Sequence, residues 1–288
     1  MALGHVAVAL LSLGAAVSAL QLPQFATTVQ VVEVYASVTD ARGEPLTGLS
    51  QNEFTVREDG AIQTISTFAQ GDFPLSVAVG VDRSWSMAGE RLALAKAGAR
   101  TLLAELRPED QAMVVAIGGS VDTVAPLSGD RAGQAAAVDR LDPWSTTALH
   151  DAVIAAIDRV QTGTGRRALV LFSDSNDRYS RADPSTVLDH ARGADVMVYP
   201  VGLGRERSPL FAELAVLTGG RSFQVQGRDR NEVTAAARTI ARELRTQYLI
   251  GYSPSRPRTE GVGDWRSIRV EVRVPGARVR ARDGYVNR

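Results

Sequence analysis

The chain contains no cysteine, which excludes disulfide bonds, thiolate metal sites and a thiol nucleophile. Lys96 is the only lysine, so arginine supplies nearly all of the positive charge. Basic and acidic residues number 32 each, and this zero net charge gives no overall field that would favour nucleic acid or an anionic membrane. Stability must therefore come from burial of apolar side chains, which 288 residues with a 44% hydrophobic fraction can provide.

Several catalytic motifs are also missing. No Gly-x-Gly-x-x-Gly motif follows a predicted strand and opens a helix, and neither a phosphate-binding P-loop nor a Gly-x-Ser-x-Gly hydrolase motif occurs. Beyond the N-terminus, the only histidines are His150 and His190, both in predicted helices, where a structural role is typical. The sequence therefore favours a protein that is not an enzyme.

An apolar run near the N-terminus, residues 6–17, is too short to be typical of a membrane span. It is followed by a small-x-small pattern, Val-Ser-Ala, and we therefore predict a signal peptide over residues 1–19. The expected location is periplasmic or extracellular. The segment before the apolar run has no lysine or arginine, so a retained N-terminal membrane anchor stays an alternative.

Residues 73–245 alternate apolar runs typical of buried strands with amphipathic stretches typical of helices. Residues 75–81 and 168–173 are two of these strand-like runs. The alternation predicts an α/β domain with a doubly wound, mainly parallel sheet and helices on both faces.

The flanking segments, residues 23–72 and 246–288, are patterned as β-strands instead. Within the first, residues 62–68 are predicted as a single strand after an Asp-Gly turn. Residues 253–264, rich in Pro, Gly and Arg, are the best candidate linker. We predict that the N- and C-terminal strands pair into one small β-sandwich, with the α/β domain inserted between them.

Arginines recur along the last predicted strands. They could bind an anionic polymer, but a solvated face that blocks edge-to-edge aggregation is the commoner role. We therefore expect a solvated face, made by Arg269, Arg273, Arg278, Arg280 and Arg282.

Five side chains with oxygen donors stand at the starts of loops and helices in the α/β segment. Asp82, Ser84 and Ser86 follow one predicted strand, Asp174 follows another, and Thr147 begins a predicted helix. In open α/β sheets, ligands bind at the carboxyl ends of the strands. Two carboxylates and three hydroxyls form an all-oxygen donor set, which suits Mg²⁺ or Mn²⁺.

Each part of this set has a structural alternative, because Asp, Ser and Thr commonly cap helices at their N-termini. Asp82 or Ser84 could cap a helix that begins near Ala88, and Ser145 or Thr146 could cap the next predicted helix. The occurrence of all three segments in order, each after a strand or at a helix start, favours the metal site.

The segments Asp-Arg-Ser-Trp-Ser, Ser-Thr-Thr-Ala-Leu and Phe-Ser-Asp together resemble the metal-ion-dependent adhesion site of von Willebrand factor A domains. The resemblance covers roughly residues 73–245. Residues 55–60 and 251–254 look like the flanks of a related domain in a group of secreted bacterial proteins. The resemblance implies direct coordination by the hydroxyls and coordination largely through water by the carboxylates, that is, by Ser84, Ser86 and Thr147 and by Asp82 and Asp174.

The sequence departs from the family pattern at two positions, where Trp85 and Ser175 stand in place of a frequent glycine. Trp85 and Trp144 are predicted in loops beside the cation, and such aromatic residues are common in binding hot spots. Both could equally pack into the domain. Asn176 and Asp177 are expected to shape the same rim.

A cation held mainly by hydroxyls keeps an open position, which a carboxylate from another protein can fill. The expected function is therefore a secreted, metal-dependent adhesion or assembly module that binds an Asp or Glu of a protein partner. A metal-assisted hydrolase and a structural envelope protein with a vestigial site are the alternatives. No nucleic acid and no small-molecule cofactor are expected, and membrane contact is expected only if the N-terminal segment is retained.

Overall fold

Three sheets organise the part of the chain that this computed structural model describes, namely residues 31–71, 73–226, 229–256 and 263–287. The predicted signal peptide and half of the predicted linker lie outside the described residues. A membrane-spanning helix is absent from the described ranges, since none of their helices is both long enough and apolar enough.

The strands of the described residues follow, in chain order: β1 (Val32–Thr39), β2 (Phe54–Glu58), β3 (Ala61–Gln63), β4 (Ile65–Gln70), β5 (Leu75–Asp82), β6 (Gln111–Ile117), β7 (Val121–Ser128), β8 (Arg166–Ser173), β9 (Met197–Gly202), β10 (Phe223–Gln224), β11 (Tyr248–Tyr252), β12 (Asp264–Val272), β13 (Arg278–Arg280) and β14 (Gly284–Asn287). The helices are α1 (Glu90–Glu105), α2 (Arg131–Asp139), α3 (Leu149–Val160), α4 (Pro184–Gly193), α5 (Pro209–Thr218) and α6 (Arg230–Arg245).

The central sheet has six strands in the order β10-β9-β8-β5-β6-β7. All neighbours are parallel except the edge strand β7, which runs antiparallel to β6. One face packs against α1, α2 and α6, and the other against α3, α4 and α5. This arrangement confirms the predicted doubly wound, mainly parallel sheet and explains why every residue of β5 is buried.

The strand order places β5 at the switch point of this sheet. From β5 the chain runs outwards through β6 and β7, and it then returns to add β8 on the other side of β5. The loops that leave the carboxyl ends of β5 and β8 therefore diverge from each other, and a crevice forms between them.

The two smaller sheets contain strands from both ends of the chain, in the orders β13-β1-β11-β4 and β14-β12-β2-β3. Their facing side chains form one core, in which Val34 and Ile250 of one sheet join Val56 and Ile268 of the other. The predicted single strand over residues 62–68 is wrong, because β3 and β4 belong to different sheets. The short break between them lets the chain pass from one sheet to the other.

The arginines of the last strands divide into two groups. Arg269 is exposed and lies 3.2 Å from Glu271, as expected for a solvated face. Arg280 and Arg282 instead reach the α/β domain, where each makes an ion pair with a carboxylate, at 2.8 Å and 3.3 Å respectively. The expectation of a uniformly solvated face is therefore wrong, because these two side chains hold the C-terminal strands against the α/β domain.

Candidate metal site

The carboxyl ends of β5 and β8 bring the two predicted carboxylates to the switch point. Asp82 is the last residue of β5, and Asp174 directly follows β8. Both residues are buried. The hydroxyl of Ser173 donates a hydrogen bond of 2.6 Å to Asp82 Oδ2 and so joins the two strand ends. The carboxylates therefore share one edge of the sheet, as the sequence pattern predicts.

The two predicted serines lie in a tight loop after β5. The Ser84 N–H donates to Asp82 Oδ1 at 2.9 Å, and the Met87 N–H donates to the Ser84 carbonyl at 2.9 Å. This single turn of 3₁₀ helix brings the Oγ atoms of Ser84 and Ser86 to 3.1 Å from each other. Two hydroxyls at this distance can both face one bound ion.

The loop that carries Thr147 is attached to both of the other loops by backbone hydrogen bonds. The Trp85 N–H donates to the Ser145 carbonyl at 3.0 Å, and the Trp144 N–H donates to the Arg83 carbonyl at 2.7 Å. The Thr147 carbonyl accepts bonds of 3.0 and 3.1 Å from two N–H groups of the loop after β8. Thr147 is buried at this three-loop junction.

Neither helix-capping alternative matches the structure. Helix α1 begins after Gly89 with no side-chain cap, so Asp82 and Ser84 do not cap it. The first turn of α3 is capped from another loop, because Asp177 Oδ1 accepts from the Leu149 N–H at 2.7 Å.

Asp177 also accepts a hydrogen bond of 2.6 Å from the Ser180 hydroxyl, so its carboxylate is committed to the loop and to the cap of α3. Asn176 donates its N–H to Asp174 Oδ1 at 3.2 Å. Both residues thus brace the loop after β8, and their role in a partner-binding rim stays a prediction.

Two serines in these loops have positive φ, 64° at Ser145 and 65° at Ser175. This left-handed conformation is easiest for glycine and costs other residues about 1 kcal/mol. The positive φ of Ser175 explains why glycine suits the position after the strand-end aspartate.

The electrostatics of the site leave room for a cation. Burial raises the pKa of Asp82 from its ordinary value of 3.8 to about 6, and the nearby charge of Asp174 adds to this, although hydrogen bonds from Ser173 and Ser84 oppose it. The charged form of Asp82 is therefore poorly compensated by the protein, and a bound divalent cation would supply the missing positive charge.

Within the described ranges, no cluster of three or more His, Cys, Asp or Glu side chains could hold a metal ion. The candidate site has two carboxylates, so a cation here would also depend on hydroxyl and water oxygens. Such a hard, all-oxygen set fits Mg²⁺ or Mn²⁺ and does not suit zinc. The residues present therefore fit the predicted cation.

The two tryptophans lie on the surface beside the site. The exposed fractions of Trp85 and Trp144 are 62% and 44%. The Arg83 guanidinium lies 5.0 Å from the Trp144 ring centre, and the ring also packs closely over Gly118. Trp85 is thus free to contact a partner, whereas Trp144 is half packed.

Two further residues, Ser173 and Arg91, contact the predicted carboxylates. Ser173 bonds to Asp82, and the only local signal was a hydroxyl directly after the apolar run of residues 168–172. Arg91 Nη1 lies 3.3 Å from Asp174 Oδ2 and 2.9 Å from the Ser86 carbonyl oxygen. Its sequence position at the start of a helix carried no signal for this contact.

Comparison with known protein families gives one match for this part of the chain. Residues 77–176 match the family described as von Willebrand factor type A domain, a range that contains all five predicted ligands. No curated protein sequence matches the chain.

Several solved structures share the fold. A von Willebrand factor type A protein from Catenulispora acidiphila has a TM-score of 0.53 at 14% identity, covering 88% of this chain and 73% of that one. The vWF domain of the type V pili tip protein Mfa5 from Porphyromonas gingivalis has a TM-score of 0.50 at 13% identity, covering 61% and 96%. An aerotolerance-related membrane protein from Bacteroides fragilis has a TM-score of 0.50 at 17% identity, covering 59% and 98%. The fold and the family match agree that residues 77–176 belong to a von Willebrand factor type A domain.

Proposed function

We propose that this protein is an exported adhesion or assembly module that binds an acidic side chain of a protein partner through Mg²⁺ or Mn²⁺. The proposal rests on one observation. The buried carboxylates of Asp82 and Asp174 and the paired hydroxyls of Ser84 and Ser86 all lie at the switch point of the sheet. The type A domain supports a role in protein interaction.

The residues of the proposed site coordinate the cation in two ways, directly and through water. The hydroxyls of Ser84, Ser86 and Thr147 are the direct ligands in this proposal, and Asp82 and Asp174 act largely through water. When bound, the cation supplies a positive centre with an open position for an incoming carboxylate, since Mg²⁺ prefers six oxygen ligands. Recognition of this kind needs no general base and no nucleophile.

The rim supplies the rest of the contact. The exposed ring of Trp85 offers apolar area directly beside the serine hydroxyls, and tryptophan is enriched among residues that dominate binding energy. A partner that presents one carboxylate surrounded by apolar groups fits this surface best.

No observation favours the hydrolase alternative. His150 Nδ1 lies 2.9 Å from the Ala182 carbonyl oxygen, and His190 Nε2 lies 2.8 Å from Asp158 Oδ1. Both described histidines are therefore engaged in contacts that brace helices, and His150 also lies 3.8 Å from Asp177 Oδ2 at the rim of the candidate site.

Export belongs to the same proposal. The proposed signal peptide is residues 1–19, and two proteins of similar fold are named as a membrane protein and as a pilus tip protein. Mass spectrometry of the protein from its native host should find a mature chain that begins near Leu20. An intact N-terminus in the membrane fraction would instead support a retained anchor.

The metal site is tested by calorimetric titration of the purified protein with Mg²⁺ and Mn²⁺. Asp82→Ala and Thr147→Ala should each weaken cation binding by about ten- to hundredfold, because each removes a member of the site. Asp139→Ala is the matched control, since Asp139 is an exposed carboxylate that pairs with Arg100 away from the site.

Circular dichroism should show the same folded state in all of these variants. Equal cation affinity in Asp82→Ala and the parent would contradict the proposal.

The partner can then be sought by affinity capture from the native envelope fraction, once in Mg²⁺ and once in chelator. A captured protein that binds equally in both conditions would not be the proposed partner.

A further inference from the structure

Arg91 lies against the candidate metal site from the first turn of α1. Its Nη1 atom donates to the Ser86 carbonyl at 2.9 Å and lies 3.3 Å from Asp174 Oδ2. The Asp174 side chain is fully buried, whereas 38% of the Arg91 side chain is exposed. An exposed arginine thus reaches inwards and supplies the counter-charge of a buried carboxylate.

We propose that Arg91 is a built-in competitor of the cation: it neutralises Asp174 in the metal-free protein and gives up that contact when a cation binds. This inference rests on the proposed function, because the competition needs a cation. A buried ionised carboxylate costs stability unless a nearby positive charge or hydrogen bonds compensate it, so Arg91 stabilises Asp174 in the metal-free protein.

The same contact opposes metal binding. A divalent ion at the candidate site would lie close to the guanidinium, and two positive groups at short range repel each other, although solvent at the exposed part of Arg91 screens this repulsion. Asp174 cannot interact fully with both the cation and Arg91. Breaking the contact between Arg91 and Asp174 therefore lowers the net affinity of the site for the cation. Arg91 thereby sets the cation concentration at which the site fills.

Space beside the site can hold the Arg91 side chain after it leaves Asp174. A cavity of about 560 Å³ lies beside the site and is lined by Ser86, Arg91, Leu94, Leu203 and Arg205, among others. The guanidinium can therefore withdraw from Asp174 and stay hydrated in this cavity.

Titration of the full mature chain with Mg²⁺ and with Mn²⁺ tests the competition. Arg91→Met keeps the length of the side chain and removes its charge, so it should bind the cation about three- to tenfold more tightly than the parent. Arg91→Lys keeps the charge but cannot reproduce the fork of the guanidinium, and its affinity should lie between the two. Arg100→Met, on the same helix but paired with Asp139, should match the parent.

Thermal unfolding in chelator and in saturating Mg²⁺ gives a second readout. In chelator, Arg91→Met should unfold at a lower temperature than the parent, because Asp174 loses its counter-charge. In Mg²⁺ this deficit should shrink or reverse, since the cation now supplies the charge. A deficit of equal size in both conditions would show that Arg91 is only structural and would overturn the inference.

The outcomes separate this inference from the proposed function. Cation binding by the parent with an equal or weaker affinity in Arg91→Met overturns the role of Arg91 and leaves the metal site standing. Failure of both the parent and Arg91→Met to bind any cation overturns both proposals. Binding by Arg91→Met alone supports the competition and shows that the parent is not a cation-dependent module at ordinary Mg²⁺ concentrations.

Discussion

At the residue scale, Asp82 shows how a binding site works against stability. Its carboxylate is buried at the end of β5 and accepts two hydrogen bonds, from the Ser84 N–H and from the Ser173 hydroxyl. Two hydrogen bonds do not replace the water that burial removes, and the pKa of Asp82 stays raised at about 6. The ionised carboxylate therefore lowers the stability of the metal-free fold, and under the proposed function a bound cation would offset this loss.

In chelator, the stability difference between Asp82→Asn and the parent should depend on pH. The pKa of Asp82 is about 6 in the folded protein and 3.8 in an unfolded chain, so the folded state binds the carboxyl proton more tightly. The folded state therefore loses stability as the pH rises from about 4 to 6. At pH 8 the ionised carboxylate then costs up to about 3 kcal/mol. Asparagine keeps the shape without the charge, so urea denaturation should show the variant more stable by about 1–3 kcal/mol at pH 8 and nearly equal to the parent at pH 4.

Saturating Mg²⁺ at pH 8 should reverse this order, because only the parent retains the carboxylate that the cation needs. Equal stability of the two proteins in chelator at pH 8 would mean that the Asp82 charge is well compensated without metal.

At the element scale, the position of α1 matters because this helix follows the serine loop and carries Arg91. Helix α1 packs between α6 and the sheet, and Gly98 lies at the closest approach. A Cβ atom at Gly98 would lie 2.4 Å from Phe172 Cε1 and 2.9 Å from Val233 Cγ2. Gly98 is therefore required by packing, although glycine weakens an isolated helix.

Gly98→Ala tests this balance between helix propensity and packing. Propensity alone predicts a gain of about 1 kcal/mol for alanine, but overpacking of a rigid ring and a branched side chain costs about 1–3 kcal/mol. We expect a net loss of stability in urea denaturation. Phe172→Leu removes the clashing ring edge, so the double variant should lose less than the sum of the two single losses. A more stable Gly98→Ala would show that α1 can shift outwards freely.

At the scale of the whole molecule, a buried polar cluster joins the strands from the two ends of the chain. The Glu58 carboxylate of β2 accepts hydrogen bonds from the Tyr252 hydroxyl at 2.8 Å, the Tyr285 hydroxyl at 2.9 Å and Arg266 Nη1 at 3.1 Å. These groups come from four strands and both terminal sheets. Burial, together with Glu58, raises the pKa of Tyr285 to about 12, so both tyrosines remain donors at neutral pH.

Glu58→Ala should therefore destabilise the terminal sheets by about 3–5 kcal/mol, because it removes the carboxylate from beside a buried arginine and leaves two buried hydroxyls without their acceptor. Glu271→Ala is the matched control, since Glu271 is a partly exposed partner of Arg57 in the same layer and should change stability by less than about 1 kcal/mol. Urea unfolding followed by tryptophan fluorescence measures both. A similar, small loss in both variants would show that the terminal sheets do not depend on this cluster.

The sequence alone determined the doubly wound sheet, the type A domain and the positions of the candidate ligands. These features depend on near neighbours in the chain: apolar runs predict buried strands, helical periodicity predicts the covering helices, and side chains that directly follow strands must lie at one edge of a parallel sheet. The family match and the observed sheet confirm the first two, and the binding of a metal ion stays a prediction.

Only the tertiary structure decided which distant groups meet. Asp177 caps α3 from 28 positions away, Arg91 reaches Asp174 across 83 positions, and Ser173 joins Asp82 across 91. Likewise, the chain crosses between sheets after β3, and Arg280 and Arg282 turn towards the α/β domain. No local pattern encodes such pairs, because each depends on how packed helices and strands orient side chains that are far apart in the sequence. The sequence therefore located the candidate site, and long-range packing placed the positive charge of Arg91 beside it.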